Sequence, residues 1–245
     1  MSDIPAHAFP ECKAHQNQSS ASSPLDDLIE VFSPPRLCAP AQQLGLVANV
    51  SMDLETGWDF TISAHRAAAC AEIRKRKPQV LAVSPPCTWF SKMMDVNWKR
   101  MDTQKKANGM EIATLLLDFT MLLCRLQLEQ GRYFIFEHPY KALSWSRQSV
   151  RDVLAHPSVK QSMFDQCQFG LKSKLRCVPM RKRTTLASNL PAVHVRFHNC
   201  LCRGGHKHQV IEGWEGGVRR STWAQKYPSA MCLGLVQCAA AVARK

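Results

Sequence analysis

The stretch Gln79–Ser91 reads QVLAVSPPCTWFS. Its first five residues are a short run rich in apolar side chains, which predicts a strand buried on both faces. The run passes directly into Ser84-Pro85-Pro86-Cys87. Two consecutive prolines restrict φ and remove two backbone donors, so the turn is stiff and the Cys87 thiol is held in one direction. On the N-terminal side, Leu28–Phe32 (LIEVF) predicts another strand, and Ser63–Lys77, Ala-rich and then basic, a helix stopped by Pro78. On the C-terminal side the spacing predicts a long helix from about Thr103 to Gln130. Ile112, Leu115, Leu116, Phe119, Leu122, Leu123 and Leu126 share one face, and Leu117, Met121 and Leu128 add apolar side chains elsewhere. Gly131 ends that helix, and Tyr133–Phe136 (YFIF) forms a strand running into Glu137-His138-Pro139.

Strands alternating with helices predict an α/β fold, a Rossmann-like and mostly parallel sheet with helices on both faces. Ligands of such sheets sit beyond the carboxyl ends of the strands. Cys87 and Glu137 both belong to that rim. Around this core the chain divides into three parts. Residues 1–24, rich in Ser, Ala, Gln and Pro, predict a disordered leader. Residues 25–190 form the α/β domain, and 191–245 a small basic extension with a Cys/His-rich loop and a closing C-terminal helix, read from Tyr227 onward.

Composition narrows the partners. No apolar run approaches the roughly 18 residues of a membrane span, and the start lacks the apolar stretch of a signal peptide. The expectation is a soluble intracellular protein with no membrane partner. Eleven cysteines are then thiols, metal ligands or a nucleophile rather than a disulfide framework. The net charge of +13 is uneven: residues 160–245 hold 15 basic and three acidic side chains, a net of +12. Such an excess suits a polyanion, nucleic acid first. The run Lys172, Lys174, Arg176, Arg181, Lys182, Arg183, interleaved with Leu171, Leu175 and Val178, is the candidate contact face.

SPPCTWFS, Ser84–Ser91, resembles the nucleophile motif of the cytosine-5 DNA methyltransferases, S/G-P-P-C-x-x-[FY]-S. FEHP, Phe136–Pro139, stands where that family has its Glu-Asn-Val motif. MRKRTTLASN, Met180–Asn189, is similar to the family's x-R-x-R strand, with Arg181 and Arg183 at the arginine positions. FDQCQFG, Phe164–Gly170, is similar to the strand leading into it. The resemblance runs from Leu28 to Asn189.

It implies a class I S-adenosylmethionine-dependent methyltransferase fold acting on DNA, with RNA as the alternative. Cys87 would attack carbon 6 of a flipped cytosine, and Glu137 would bind N3 and the exocyclic amine. Arg181 and Arg183 would be the supporting cations. S-adenosylmethionine would lie against Phe32 and Ser33 after the first strand and Pro85 in the nucleophile turn. Asp53 would meet the ribose hydroxyls, with Asp59 and Phe60 at the adenine. A DNA substrate implies the nucleus if the source is eukaryotic.

The chain departs from the family's pattern in three places. The first loop is Phe32-Ser33-Pro34-Pro35-Arg36, with no glycine before Gly45, where the family has a Gly-rich turn. His138-Pro139 replaces Asn-Val, which changes the turn that aims Glu137. About 55 residues follow Asn189, little room for target recognition. The amino-methyltransferases, with [DNS]-P-P-[YFW], match less well, because Cys87 stands where they have a stacking aromatic. The rival function is a non-catalytic DNA- or RNA-binding module that keeps a degenerate methyltransferase fold and a zinc-stabilised loop.

That loop is Phe197–His208, FHNCLCRGGHKH. Thiolate and imidazole at this density suit tetrahedral zinc, and Gly204-Gly205 permits the tight turn. Cys202, His206 and His208 are the expected ligands of one structural zinc. The fourth is Cys167, with Cys177 and Cys200 as alternatives. The competing reading is a His-rich basic loop that touches phosphates.

Overall fold

The computed structural model describes residues 26–91, 94 and 101–243. The leader, 1–24, lies outside the described residues. Six strands form one sheet: β1 (Leu28–Val31), β2 (Val50–Met52), β3 (Val80–Val83), β4 (Tyr133–Pro139), β5 (Lys160–Asp165) and β6 (Arg183–Ser188), in the order β2-β1-β3-β4-β6-β5. β2, β1, β3 and β4 are parallel, and β6 runs antiparallel to both of its neighbours. The mostly parallel α/β class read from the sequence is the class observed.

Seven helices are described: α1 (Cys38–Gln43), α2 (Ser63–Arg76), α3 (Thr103–Glu129), α4 (Gln148–Leu154), α5 (Pro191–Phe197), α6 (Arg220–Trp223) and α7 (Ser229–Ala240). β1 and β3 are buried on both faces, which is why β3 is continuously apolar and β1 is apolar except for Glu30. Ile29, Val31, Leu81, Val83, Phe134 and Phe136 pack against α2, α3 and α4. Leu28, Val80, Ala82 and Ile135 pack on the opposite side against α1, α5 and α7. Helices α5 and α7, together with α1, therefore build the core on this side of the sheet. Each fully buried Phe or Leu contributes roughly 1.5–3 kcal/mol through the hydrophobic effect.

The long helix α3 starts at Asp102, whose side chain accepts from the Lys105 N–H at 2.9 Å. It ends where Gly131 takes φ +65°. Two elements differ from expectation. The predicted strand Phe164–Gly170 is the end of β5 followed by a 3-10 turn, Gln166–Phe169, closed by Gly170 at φ +89°. β6 begins at Arg183, so Arg181 and Lys182 lie in the approach to it. No described helix is long and apolar enough to cross a membrane.

Strand order reverses between β1 and β3: the chain goes from β1 outward to β2, then returns to the other side of β1 as β3. The crevice above such a reversal is where open α/β sheets bind ligands. Here it is walled by the loops after β1 and β3.

Candidate active site

The turn after β3 is anchored on three sides. Phe90 is buried beneath it. Trp89 lies against Gly109 of α3, where a Cβ would fall about 2.0 Å from the indole, so only glycine leaves room for that ring. The third anchor is His138, fully buried on β4. Its Nε2 is 3.2 Å from the Pro85 carbonyl and its Nδ1 is 2.6 Å from Ser144 Oγ. A carbonyl only accepts, so Nε2–H donates to Pro85 and Nδ1 accepts from the Ser144 hydroxyl. Burial pushes the imidazole down to about 3, so it stays neutral with that tautomer. The residue that departs from the family's pattern thus joins the strand carrying Glu137 to the turn carrying Cys87.

Alternation along β4 sends Glu137 to the face opposite His138. There it lines a cleft of about 320 Å³ together with Cys87, Ser84, Lys182 and Tyr227. Glu137 is buried, and its Oε1 has no hydrogen-bond partner among the described residues. The Lys182 Nζ stands 3.8 Å from that oxygen. The Cys87 thiol lies above its ordinary pKa: burial raises it most, the Glu137 charge raises it further, and Lys182 pulls the other way. At rest, Cys87 is a neutral thiol.

Tyr227 closes the cleft from the C-terminal segment. Its phenol is hydrogen-bonded to Ser84 Oγ at 2.7 Å. Burial and the Glu137 charge hold it well above the usual phenol range, so it remains a donor. Arg36 reaches across from the β1 loop, with its guanidinium 5.9 Å from the Tyr227 ring centre and Nη1 donating to the Gln225 carbonyl at 2.9 Å.

The β1 loop turns without glycine because Phe32 itself takes the left-handed conformation, φ +59°. That costs a non-glycine residue about 1–3 kcal/mol. Packing of its ring against Phe60 and Phe119, at 4.8 and 6.2 Å between centres, holds it there. Below the loop, Glu30 accepts from the Leu37 and Cys38 N–H groups at 2.6 and 2.9 Å. The start of α1 is thereby fixed. Ser33 sits in the turn, where its carbonyl accepts from Ser51 Oγ.

Phe32, Asp53 and Pro86 also belong to a second, mainly apolar recess of about 90 Å³ that includes Trp58, Asp59 and Phe60. Of the six residues expected at the cofactor, Phe32, Asp53 and Pro85 line the cleft, and Phe32, Asp53, Asp59 and Phe60 line the recess. Both acids also serve the backbone. Asp53 Oδ1 caps the turn Leu54–Thr56 through the Glu55 N–H, and Asp59 Oδ1 accepts from the Thr61 N–H and hydroxyl. A larger open groove of about 630 Å³ between α3 and α4 is lined by Asp118, Arg125, Arg147 and Asp152. It lies at no strand end and holds no nucleophile.

Arg181 and Arg183 do not line the cleft. Both bind Asp165, which is fully buried. Arg183 makes two contacts, at 2.8 and 2.9 Å, and Arg181 one at 3.2 Å. The Cys202 N–H adds a bond at 2.9 Å. Burial would raise the Asp165 carboxyl, but Arg183, the Cys202 N–H and Arg181 outweigh it and hold it below the usual range. The side chain aimed at Glu137 is Lys182, between the two arginines. Of the cleft residues, Tyr227 and Arg36 have no site role in the sequence reading, and Lys182 has one only as part of the basic contact face.

Near the same Asp165 a Cys/His cluster forms. The ligand atoms of Cys167, Cys202, His206 and His208 all lie within 4.8 Å of one another. Such a group could hold a metal ion. Cys177 is exposed and Cys200 donates its thiol to the Arg196 carbonyl, so neither joins it.

No family model and no curated protein matches this chain. Among solved structures, the methyltransferase EhMeth of Entamoeba histolytica is similar over 65% of this chain and 52% of its own, at 13% identity and a TM-score of 0.36. The chain spans about half the length of that protein.

Proposed function

We propose that this protein is an S-adenosylmethionine-dependent methyltransferase that modifies carbon 5 of cytosine in nucleic acid, with DNA as the substrate. The observation that most supports this is the sharing of one switch-point cleft by the Cys87 thiol and a buried Glu137 oxygen that lacks a hydrogen-bond partner. A flipped cytosine offers an amine N–H and a ring nitrogen on one edge. Glu137 accepts from the amine, and a proton taken up from solvent as the base binds sits between the carboxylate and the ring nitrogen.

The adjoining recess suits the cofactor. Phe32, Trp58 and Phe60 supply apolar ring surface for an adenine, and Asp53 and Asp59 supply carboxylates for hydroxyls or amines. S-adenosylmethionine supplies an electrophilic methyl group on a sulfonium. The protein's own groups do the rest. Burial does most to hold the thiol neutral and the Glu137 charge adds to it; engaging Glu137 removes that second contribution, and Lys182 then favours the thiolate. The thiol proton leaves to solvent and sulfur bonds to carbon 6. The displaced electron pair makes carbon 5 nucleophilic toward the methyl group. The carbon 5 proton and the ring-nitrogen proton then leave to solvent, and breakage of the S–C6 bond restores the ring and releases a thiolate that takes a proton back from solvent. In this reading Lys182 is the cation beside the base, and Arg181 and Arg183 act at one remove by holding Asp165. In a eukaryotic source the substrate implies the nucleus.

DNA carrying 5-fluorocytosine tests the proposal, because fluorine cannot leave carbon 5 as a proton does and the adduct persists. With S-adenosylmethionine present, a protein–DNA species resistant to denaturation is expected, and Cys87→Ser abolishes it while S-adenosylmethionine binding by calorimetry is retained. Absence of saturable S-adenosylmethionine binding refutes the enzyme reading. Nucleic-acid binding with no adduct identifies the non-catalytic module instead.

A further inference from the structure

Cys167 and Cys202 with His206 and His208 are not used by the chemistry above. Cys202 Sγ lies 3.5 Å from His206 Nε2 and 3.5 Å from His208 Nε2, and the two ring nitrogens are 2.9 Å apart. Tetrahedral zinc with sulfur at about 2.3 Å and nitrogen at about 2.0–2.1 Å requires S···N separations of roughly 3.6 Å. The observed S···N spacings agree, and the two imidazole nitrogens, at 2.9 Å, would move apart by about 0.4 Å to reach the roughly 3.3 Å of a tetrahedral pair. Thiols are weak hydrogen-bond donors, so hydrogen bonding alone gives two thiols and two imidazoles little reason to converge.

The chain is shaped to bring them together. Cys167 follows β5 in the turn closed by Gly170. Gly204 and Gly205, at φ +94° and +82°, fold the loop back so that His206 and His208 meet Cys202. The region has little else to hold it. Its own core contains only Leu171, Met180 and Ala224 as buried side chains, while Val210 and Trp214 are exposed. Small units with so little apolar burial are commonly stapled by a metal or disulfides.

We propose that Cys167, Cys202, His206 and His208 bind one structural Zn²⁺. Both cysteines bind as thiolates, releasing two protons to solvent, and both histidines bind neutral through Nε2, so the centre carries no net charge. Four protein ligands close the coordination sphere and leave no position for a substrate, which makes the ion structural. It acts on the cleft through the backbone. The Cys202 N–H binds Asp165, Asp165 holds Arg181 and Arg183, and Lys182 between them faces Glu137. The ion thus fixes the base of the segment that presents Lys182.

Elemental analysis of the full chain is expected to find about one zinc per protein. After exchange for Co²⁺, the visible spectrum is expected to show the intense ligand-field bands of a tetrahedral site and sulfur-to-cobalt charge transfer. Cys202→Ser is expected to lower the zinc content at least tenfold, whereas Cys177→Ser and Cys200→Ser leave it unchanged. Because Cys202→Ser can fail to fold, His206→Cys gives a second reading. It is expected to keep one metal per chain and to add charge-transfer intensity from a third thiolate. A folded chain that takes up no zinc, a weak octahedral cobalt spectrum, or full zinc content in both Cys202→Ser and Cys167→Ser overturns the proposal. None of these readouts depends on methyl transfer.

Discussion

Replacing His138 by Gln separates the two jobs that this buried ring performs. At neutral pH the Gln amide can still donate to the Pro85 carbonyl, but Ser144 Oγ loses its acceptor. A buried polar group left without its partner costs about 1–3 kcal/mol, and His138→Gln is expected to lose that much at pH 7.5. Acid should then remove the penalty. Burial holds the folded imidazole at about 3, against an ordinary value of 6.5. The unfolded chain therefore takes up a proton below about pH 6.5 that the folded chain refuses. Wild-type stability falls as pH drops through the window from about 6.5 to 3. At pH 4.5, two units below the unfolded value, this one group has withdrawn about 2.7 kcal/mol. Gln has nothing to titrate, and Asp165, Glu30 and Lys182 are common to both proteins. Urea unfolding at pH 7.5 and 4.5 measures the difference, with tryptophan fluorescence as the probe because Trp145 packs 6.4 Å from the His138 ring. The variant's penalty should shrink by about 2.7 kcal/mol, to near zero or below. A penalty that stays within about 1 kcal/mol of its neutral-pH value refutes the assignment of His138 as a neutral bridge.

Two further perturbations read the same rim. Lys182 and Glu137 push the Cys87 thiol in opposite directions, so the pH profile of Cys87 alkylation, followed by peptide mass spectrometry, should move to higher pH in Lys182→Met and to lower pH in Glu137→Gln. Shifts of the same sign contradict the site's electrostatics. Gly109→Ala puts a methyl group into the Trp89 ring, and overpacking of this kind is expected to cost about 1–3 kcal/mol. The thermal midpoint should fall and adduct formation on 5-fluorocytosine DNA should weaken, while an unchanged midpoint contradicts the contact.

What the sequence revealed follows from how local each signal is. β3 with its Pro-Pro-Cys turn and the long α3 were legible because burial on both faces and helical spacing are written in consecutive residues. β2 was missed: Val50–Met52 is three residues long and exists because β1 offers it an edge. The carboxylate and thiol were legible as strand-end residues, and the Cys/His cluster as a dense motif. Which of Arg181, Lys182 and Arg183 meets the cleft was not, because a buried acceptor at Asp165 decides it. Tyr227 lies 143 residues from its Ser84 partner, and no local pattern announces such a contact. Cys167 could be separated from Cys177 and Cys200 only once the turn after β5 had a position.

A neutral resting thiol also bears on chemical durability. Peroxides and electrophiles select thiolates, and oxidation beyond the sulfenic stage is largely irreversible. The proposed reaction requires Cys87 to be accessible to a substrate base, which rules out protection by complete enclosure. The neighbouring Glu137 charge offers another protection: it suppresses the reactive form of the sulfur until something occupies the carboxylate. The same carboxylate that would recognise the base in the proposed reaction therefore also guards the thiol, and a Glu137→Gln protein should age faster in air than the parent.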